Sequence, residues 1–472
     1  MKNLDEKIRR TFPSESVYHS TAYYNIFSGV NIPSFIKDYL IQRYTDGDGR
    51  LDKEGLLEFI GRHIPQKKSQ IQKKMISEKR RFRLLTRLII EPDIKAGVLR
   101  FEIPEMGIKK SNTLIPEYLT TEYPELTSDE VWGVVDLALI ESESGGNRIE
   151  LCDFTPFKPY ETDLSYFQSR RSEYSIEEWI NLLIRSMEYN PEGFESLNQK
   201  LLFISRLLVF VEPNLNLIEL APKGTGKSYV FSNLSKYGWI ISGGVVTRAK
   251  LFYDIGRKTP GLIMRYDFIA MDEAQTIKFS SPHEVAAGLK TYLESGKFTV
   301  ANYSDSSHAS FILLGNIKLD QHKNPTTNKY FSHLPGIFNE SALLDRFHGF
   351  IEGWKLPRIR EDLIVKGYAL NVEYFSEILH SLRTESKYRI FIDELLDVPR
   401  NADTRDTKAI KRISTGYLKL LFPHVNSAND IPVRHFELYC LRPALRMRGI
   451  IRNQIHYIDE EYNPEIPNIT IK

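Results

Sequence analysis

The segment LIELAPKGTGKSYV at 217–230 constrains this chain more than any other. An apolar run of strand length enters a glycine-bearing turn, and a lysine then opens a helix-like stretch. A strand that reverses tightly into a helix satisfies all three parts, and the residue types fit phosphate binding. Gly224 and Gly226 let backbone N–H groups approach phosphate oxygens closely. In such a loop Pro222, Lys223, Gly224, Thr225, Gly226, Lys227 and Ser228 would cradle a nucleotide. Lys227 would reach the β- and γ-phosphates, and Ser228 would offer its hydroxyl to Mg²⁺. ATP and Mg²⁺ are therefore the expected substrate and cofactor. Ala221 stands where G-x-x-x-x-G-K-S usually has its first glycine, and alanine is small enough for the turn.

Three later segments complete the chemistry. FIAMDEAQ (268–275) is an apolar strand ending in Asp272, which would help hold Mg²⁺, and Glu273, which would polarise an attacking water. SFILLGN (310–316) ends in Asn316, expected beside the γ-phosphate to orient that water, although asparagine also forms ordinary turns. ALLDRFHGFI (342–351) carries Arg346, suited to stabilising transition-state charge from a neighbouring subunit. Without this context it would be a surface arginine paired with Asp345. With LNLIEL (215–220) and WIISGG (239–244), these short apolar runs alternate with helical stretches. That alternation predicts an α/β fold with a parallel sheet covered on both faces.

At 472 residues, 42% hydrophobic and 26% charged, the chain has the size of about three domains and enough apolar surface for real cores. Residues 1–150 are expected to form a mixed α/β domain, with helices at 34–44 and 53–64 and strands at 83–92 and 131–141. TDGDGR (45–50) departs from the calcium-loop pattern at its later ligand positions and is predicted to be a surface turn. Residues 151–195 are expected as a connector ending in a helix capped by Ser175. The ATPase core is placed at 196–360, and a helical lid with a C-terminal extension at 361–472. Two cysteines, Cys152 and Cys440, exclude a disulfide scaffold and a four-thiolate zinc site. The amino terminus lacks the apolar run of a signal peptide, and no stretch approaches a membrane span. A cytoplasmic protein without a membrane partner is expected.

The net charge of +2 hides one strongly basic stretch. Lys67, Lys68, Lys73, Lys74, Lys79, Arg80, Arg81, Arg83 and Arg87 are set against the single acid Glu78. That density suits sequence-independent contact with nucleic-acid phosphates, or simply a solvated helix face. Phe82 could stack on a base or belong to a core. Arg442, Arg446, Arg448 and Arg452 form a second series whose role stays open between subunit contact, DNA contact and solubility.

Taken together, P-x-G-T-G-K-S, Asp272–Glu273, Asn316 and the LLDRF of 343–347 resemble an AAA+ ATPase. YLESGKFTVA (292–301) is similar to the hairpin inserted ahead of the third motif in MCM helicases, and TRDTKAIKRIS (404–414) to their lid signature. That match implies that Arg405 contacts the γ-phosphate and reports nucleotide state to the lid. LIELAPKGTGKSYV, ISGGVVTRAKLFYDI, FIAMDEAQ, YLESGKF, LLGNI and STGYLKLLFPH resemble more closely the ATPase core of BrxL, the Lon-protease-like family of BREX phage defence. The resemblance implies an ATP-dependent hexamer or stacked hexamers around duplex DNA, with hairpins near 296–308 moving along it. Partner proteins of a defence system are also implied. Longer members carry a Lon-like Ser–Lys domain; the short stretch after the last predicted helix is expected to be too small for one. Two other functions are weighed against this reading. One is an unfoldase threading polypeptide, mildly disfavoured by the polar GKFTVANYSDSSH of 296–308. The other is a DNA-bound scaffold that ATP merely stabilises.

Overall fold

The alternating stretches at 83–92 and 131–141 turn out to be partners. The protein is described here by a computed structural model covering residues 2–46, 50–65, 81–93, 96–127, 130–141, 147–158, 160 and 162–472. Two units are present. One comprises Ala22–Ile32 and Tyr39–Glu161; the other comprises Met1–Thr21, Pro33–Asp38 and Thr162–Lys472.

The smaller unit is built on β1 (Phe82–Asp93), β2 (Val98–Glu102), β3 (Thr113–Leu114), β4 (Glu130–Glu141) and β5 (Asn147–Pro156). Antiparallel pairing joins β2 to β1, β1 to β4 and β4 to β5, while β3 runs parallel to β5. An antiparallel bridge from Leu99 to Ile115 brings the two edges together. Thr113 reinforces the seam, its hydroxyl accepting from the Phe101 N–H at 2.9 Å and donating to the Phe101 carbonyl at 2.6 Å. The cyclic order is thus β1-β2-β3-β5-β4, with helix Glu117–Glu122 between β3 and β4. This is the connectivity of the five-stranded OB barrel. Leu84, Leu88, Phe101, Val135, Leu137 and Phe154 fill it. Gly133 permits the close packing, since a Cβ there would lie 2.3 Å from the Phe154 ring.

The larger unit carries β6 (Leu217–Ala221), β7 (Gly238–Ser242), β8 (Phe268–Asp272), β9 (Lys297–Val300), β10 (Tyr303–Ser306), β11 (Ser310–Asn316) and β12 (Gly349–Glu352). Five of these form one sheet in the order β12-β6-β11-β8-β7, every pair parallel. Every residue of β6 and β8 is buried, as expected for parallel strands covered on both faces. β9 and β10 form an antiparallel hairpin turning at Ala301 and Asn302, where residues 296–308 were expected to project one. Tyr303, the residue after that turn, stacks flat on Tyr253, the ring centroids 3.8 Å apart.

Two sequence-based boundaries differ from this arrangement. Position 150 falls inside β5, which continues its pairing to Pro156. Strand Ser16–His19 pairs with Gly367–Leu370 of the larger unit, so the first residues do not belong with the barrel. The expected connector contains packed structure as well. Helix Ile176–Ser186, fixed by a capping box between Ser175 and Glu178, buries Trp179, Ile180 and Leu183. The Trp179 indole donates to the Leu420 carbonyl at 2.9 Å. Pro and aromatic content suggested a linker here, whereas the aromatics serve as core. Among the described residues no helix is long and apolar enough to cross a membrane.

Candidate functional site

The helix α1 (Lys227–Asn233) follows β6 through a loop that only glycine fits at two points. Gly224 and Gly226 hold φ values of +83° and +73°. At Gly226 a Cβ would come 1.9 Å from the Tyr189 hydroxyl. Gly353, on the far side of β6, accommodates Ala221 in the same manner, since a Cβ there would meet the Ala221 methyl at 2.5 Å. Pro222 and Thr225 are buried, and Thr225 donates from its hydroxyl to the Pro222 carbonyl at 3.3 Å. The Lys223 side chain points to solvent, leaving its backbone to line the loop.

Neighbouring strands deliver the remaining groups to the same edge. Asn316 ends β11 opposite Ala221, and its Oδ1 accepts from the Lys227 ammonium at 2.9 Å. Asp272 ends β8 almost fully buried, its Oδ1 accepting from the Glu273 N–H at 2.9 Å. Glu273 adopts a left-handed φ of +48°, uncommon for a residue with a side chain, and its carboxylate is exposed. Burial lowers the Lys227 ammonium below its ordinary range, while Glu219, Asp272 and Glu273 pull it back up. A buried cation held by one amide oxygen, beside two glycine-only turns and a strand-end carboxylate, suits a triphosphate with its divalent ion. Lys227, Ser228 and Asp272 are the residues that would hold them.

Two supporting groups went unrecognised in the sequence. Arg206 and Glu219, both fully buried, form a two-pronged ion pair at 2.5 and 3.0 Å. Arg206 also donates to the Thr225 carbonyl at 3.0 Å, bracing the phosphate loop from behind. A charged residue amid the apolar LNLIEL was the available signal. Gln275 donates to the Asn316 carbonyl at 2.8 Å and fixes that strand end. Glu219→Gln would strand the Arg206 charge in the interior, so a loss of about 3–5 kcal/mol is expected in denaturant unfolding. An unchanged midpoint would show that the pair is dispensable.

Two family descriptions match the chain: "Lon-like protease BrxL-like, ATPase domain" over residues 149–467 and "BREX system Lon protease-like protein BrxL N-terminal" over residues 10–139. The chain belongs to the BrxL-like family. Curated relatives named Lon-like protease BrxL support the same placement. That of Escherichia coli O9:H4 (strain HS) is 27% identical over 434 residues, covering 90% of this chain and 61% of its own length. That of Bacillus cereus (strain H3081.97) is 26% identical over 467 residues, covering 97% of this chain and 67% of its own length. This BrxL-like chain thus spans about two thirds or less of those relatives.

In this BrxL-like chain, Arg346 and Arg405 lie away from the phosphate loop. Gly349 of β12 pairs with Leu217, the first residue of β6, and the His348 N–H bonds to the Asn216 carbonyl at 2.8 Å. Arg346 therefore sits where β6 begins, and the phosphate loop where it ends. Five residues of strand separate the two edges by about 13–17 Å. Arg405 joins Arg346 at the same edge, bonding Asp345 at 2.8 Å and Glu294 at 3.1 Å, while Arg346 pairs with Glu294 at 3.3 Å. Arg405, expected to contact a γ-phosphate, thus lies at the opposite sheet edge from its own chain's phosphate loop. Burial, with the charges of Arg412, Arg448 and Lys408, holds His348 well below the usual histidine range.

The C-terminal arginines are all engaged by carboxylates. Arg448 is buried between Asp345 and Asp406, each at 2.6 Å, and Arg452 lies 3.4 Å from Asp406. Arg446 bonds Glu352 at 2.8 Å and Arg442 bonds Glu437 at 2.7 Å. In the basic stretch, Lys67, Lys68, Lys73, Lys74, Lys79 and Arg80 lie outside the described residues. Arg81 is exposed at the start of β1, and Phe82 is core. Arg83 makes a two-pronged pair with Asp136, both contacts at 2.7 Å, and Arg87 bonds Glu105 at 3.0 Å and Glu130 at 3.4 Å. Arg83 and Arg87, two of the residues expected to contact phosphate, are thus held in ion pairs within the unit. The antiparallel register sets Asp136 directly opposite Arg83.

Proposed function

We propose that the chain is an ATP-hydrolysing AAA+ subunit of a ring that engages duplex DNA in BREX-type defence. The observation carrying this reading is the division of labour across the sheet: a phosphate site at one edge, an arginine pair at the other. One protomer cannot bring the two together, whereas a head-to-tail ring places the arginine edge of each subunit against the phosphate edge of the next.

In this mechanism the loop 222–228 and Lys227 position the triphosphate. When bound, Mg²⁺ supplies positive charge to the phosphate oxygens from Ser228 and Asp272. Glu273, exposed at the strand end and held in its left-handed turn, accepts the proton of the attacking water. Asn316 exchanges its contact with Lys227 for one to that water. Arg346 from the adjacent subunit meets the charge developing on the transferring group, and Arg405 accompanies it, each leaving Glu294 to do so. The residues 361–472 act as the lid that carries Arg405.

DNA engagement draws on two features. OB barrels commonly bind nucleic-acid strands; the smaller unit has that connectivity, and the basic 67–81 stretch immediately precedes β1 in the sequence. In the larger unit, the β9–β10 hairpin exposes its tip at Ala301 and Asn302 and carries the exposed Lys297 at its base. Affinity of the full chain for duplex DNA is expected to fall about 10³-fold or more between about 50 and 200 mM salt, as for proteins touching six or more phosphates. A flat salt response would remove DNA from the proposal and favour the unfoldase. Turnover measured with and without DNA separates a motor from a scaffold, since only a motor couples the two.

A further inference from the structure

Three side chains that no step above uses converge inside the larger unit. His19 ends the strand Ser16–His19, Asp38 lies on helix Ser34–Arg43, and Glu188 follows helix Ile176–Ser186 with a left-handed φ of +67°. All three are buried, and one ligand atom from each lies within 4.8 Å of those of the other two.

His19 Nε2 stands 3.8 Å from Asp38 Oδ2, beyond hydrogen-bond reach. Asp38 is fully buried; its Oδ2 accepts the Val372 N–H at 3.1 Å, while its Oδ1 meets no donor. The nearby Arg185 is committed elsewhere, to Asp5 at 2.6 Å and the Tyr368 carbonyl at 3.2 Å. Two carboxylates are therefore buried side by side, and a carboxylate oxygen without a donor is costly in such a place.

We propose that His19, Asp38 and Glu188 form a structural site for a transition-series divalent cation, foremost Zn²⁺. Ligands about 2.0–2.1 Å from a tetrahedral ion lie about 3.3 Å apart, so side-chain shifts of about an ångström close the set. One imidazole and two carboxylates favour Zn²⁺ and its transition-series neighbours over Mg²⁺ or Ca²⁺, which prefer oxygen alone. An outer contact is also present. The Tyr229 hydroxyl donates to the Glu188 carboxylate and lies 3.0 Å from the Ser34 hydroxyl. Tyr229 belongs to α1, the helix opened by Lys227, so the ion would tie the N-terminal strand and helix to the back of the phosphate-loop helix. The site does not depend on the nucleotide reading.

The test uses the full chain purified without chelators, its metal content measured by plasma mass spectrometry and its Tm followed through chelation. The expected result is about one Zn²⁺ per chain. The Tm should fall on chelation and return with Zn²⁺ but not with Mg²⁺. His19→Ala and Glu188→Gln should each lose the metal, whereas Lys227→Ala should keep it. Should the first two fail to fold, Co²⁺ exchanged into the wild-type chain should give the visible absorption bands of a mixed nitrogen–oxygen site. A wild-type chain with substoichiometric metal and a Tm indifferent to Zn²⁺ would overturn the proposal. So would full metal retention in folded His19→Ala, or the lack of such bands after Co²⁺ exchange.

Discussion

Arg346→Ala is expected to lower ATP turnover by about 10³-fold or more while leaving ATP affinity nearly intact. The size follows from what an arginine supplied by a neighbour contributes: positive charge delivered at the transition state, in a site from which water has been excluded. The selectivity follows from position. Arg346 lies at the strand-start edge of β12, so it takes no part in its own chain's phosphate loop and ATP binding should survive its loss. In the isolated chain Arg346 rests against Glu294 and donates to the Ala342 carbonyl, which keeps it close to the exposed edge. Steady-state turnover beside equilibrium binding of a labelled nucleotide checks both halves. A parallel loss of affinity would place the arginine in the ground-state site of its own protomer.

The second large effect is expected at Glu273. Glu273→Gln keeps the shape and the left-handed turn but removes the proton acceptor, so turnover should drop by about 10²–10⁴-fold with ATP still bound. The neighbouring Asp272 does not substitute for it, being buried and occupied by the Glu273 N–H. Intact turnover in Glu273→Gln would remove this residue from the mechanism and require another base near the strand ends.

How much of this was legible in the sequence depended on how local each signal is. The loop at 217–230 and the strand ends at 272–273 and 316 declare themselves because a turn type, a strand length and a terminal polar residue are all neighbours in sequence. The structure brings Lys227 and Asn316 within 2.9 Å of each other. Barrel closure was not legible: it depends on a two-residue strand, Thr113–Leu114, and a single bridge from Leu99 to Ile115. The ion pairs of Arg83 and Arg87 were not legible, because a run of basic residues says nothing about the carboxylates that the register sets opposite. Arg405 was recognised by motif, but only the strand pairing shows at which sheet edge it lies. Glu219 was the missed opportunity, since a carboxylate inside an apolar parallel strand demands a buried partner, here Arg206.

A composite site makes one demand that a self-contained site does not. Lys227→Ala and Arg346→Ala should each be nearly inactive alone, one lacking its phosphate lysine and the other its arginine. Mixed and allowed to exchange subunits, they should recover a substantial fraction of wild-type turnover, because some junctions then pair an intact phosphate edge with an intact arginine edge. Turnover that stays at the level of the separate variants, although both co-assemble with wild-type chain, would contradict the proposal that each site is completed by a neighbour.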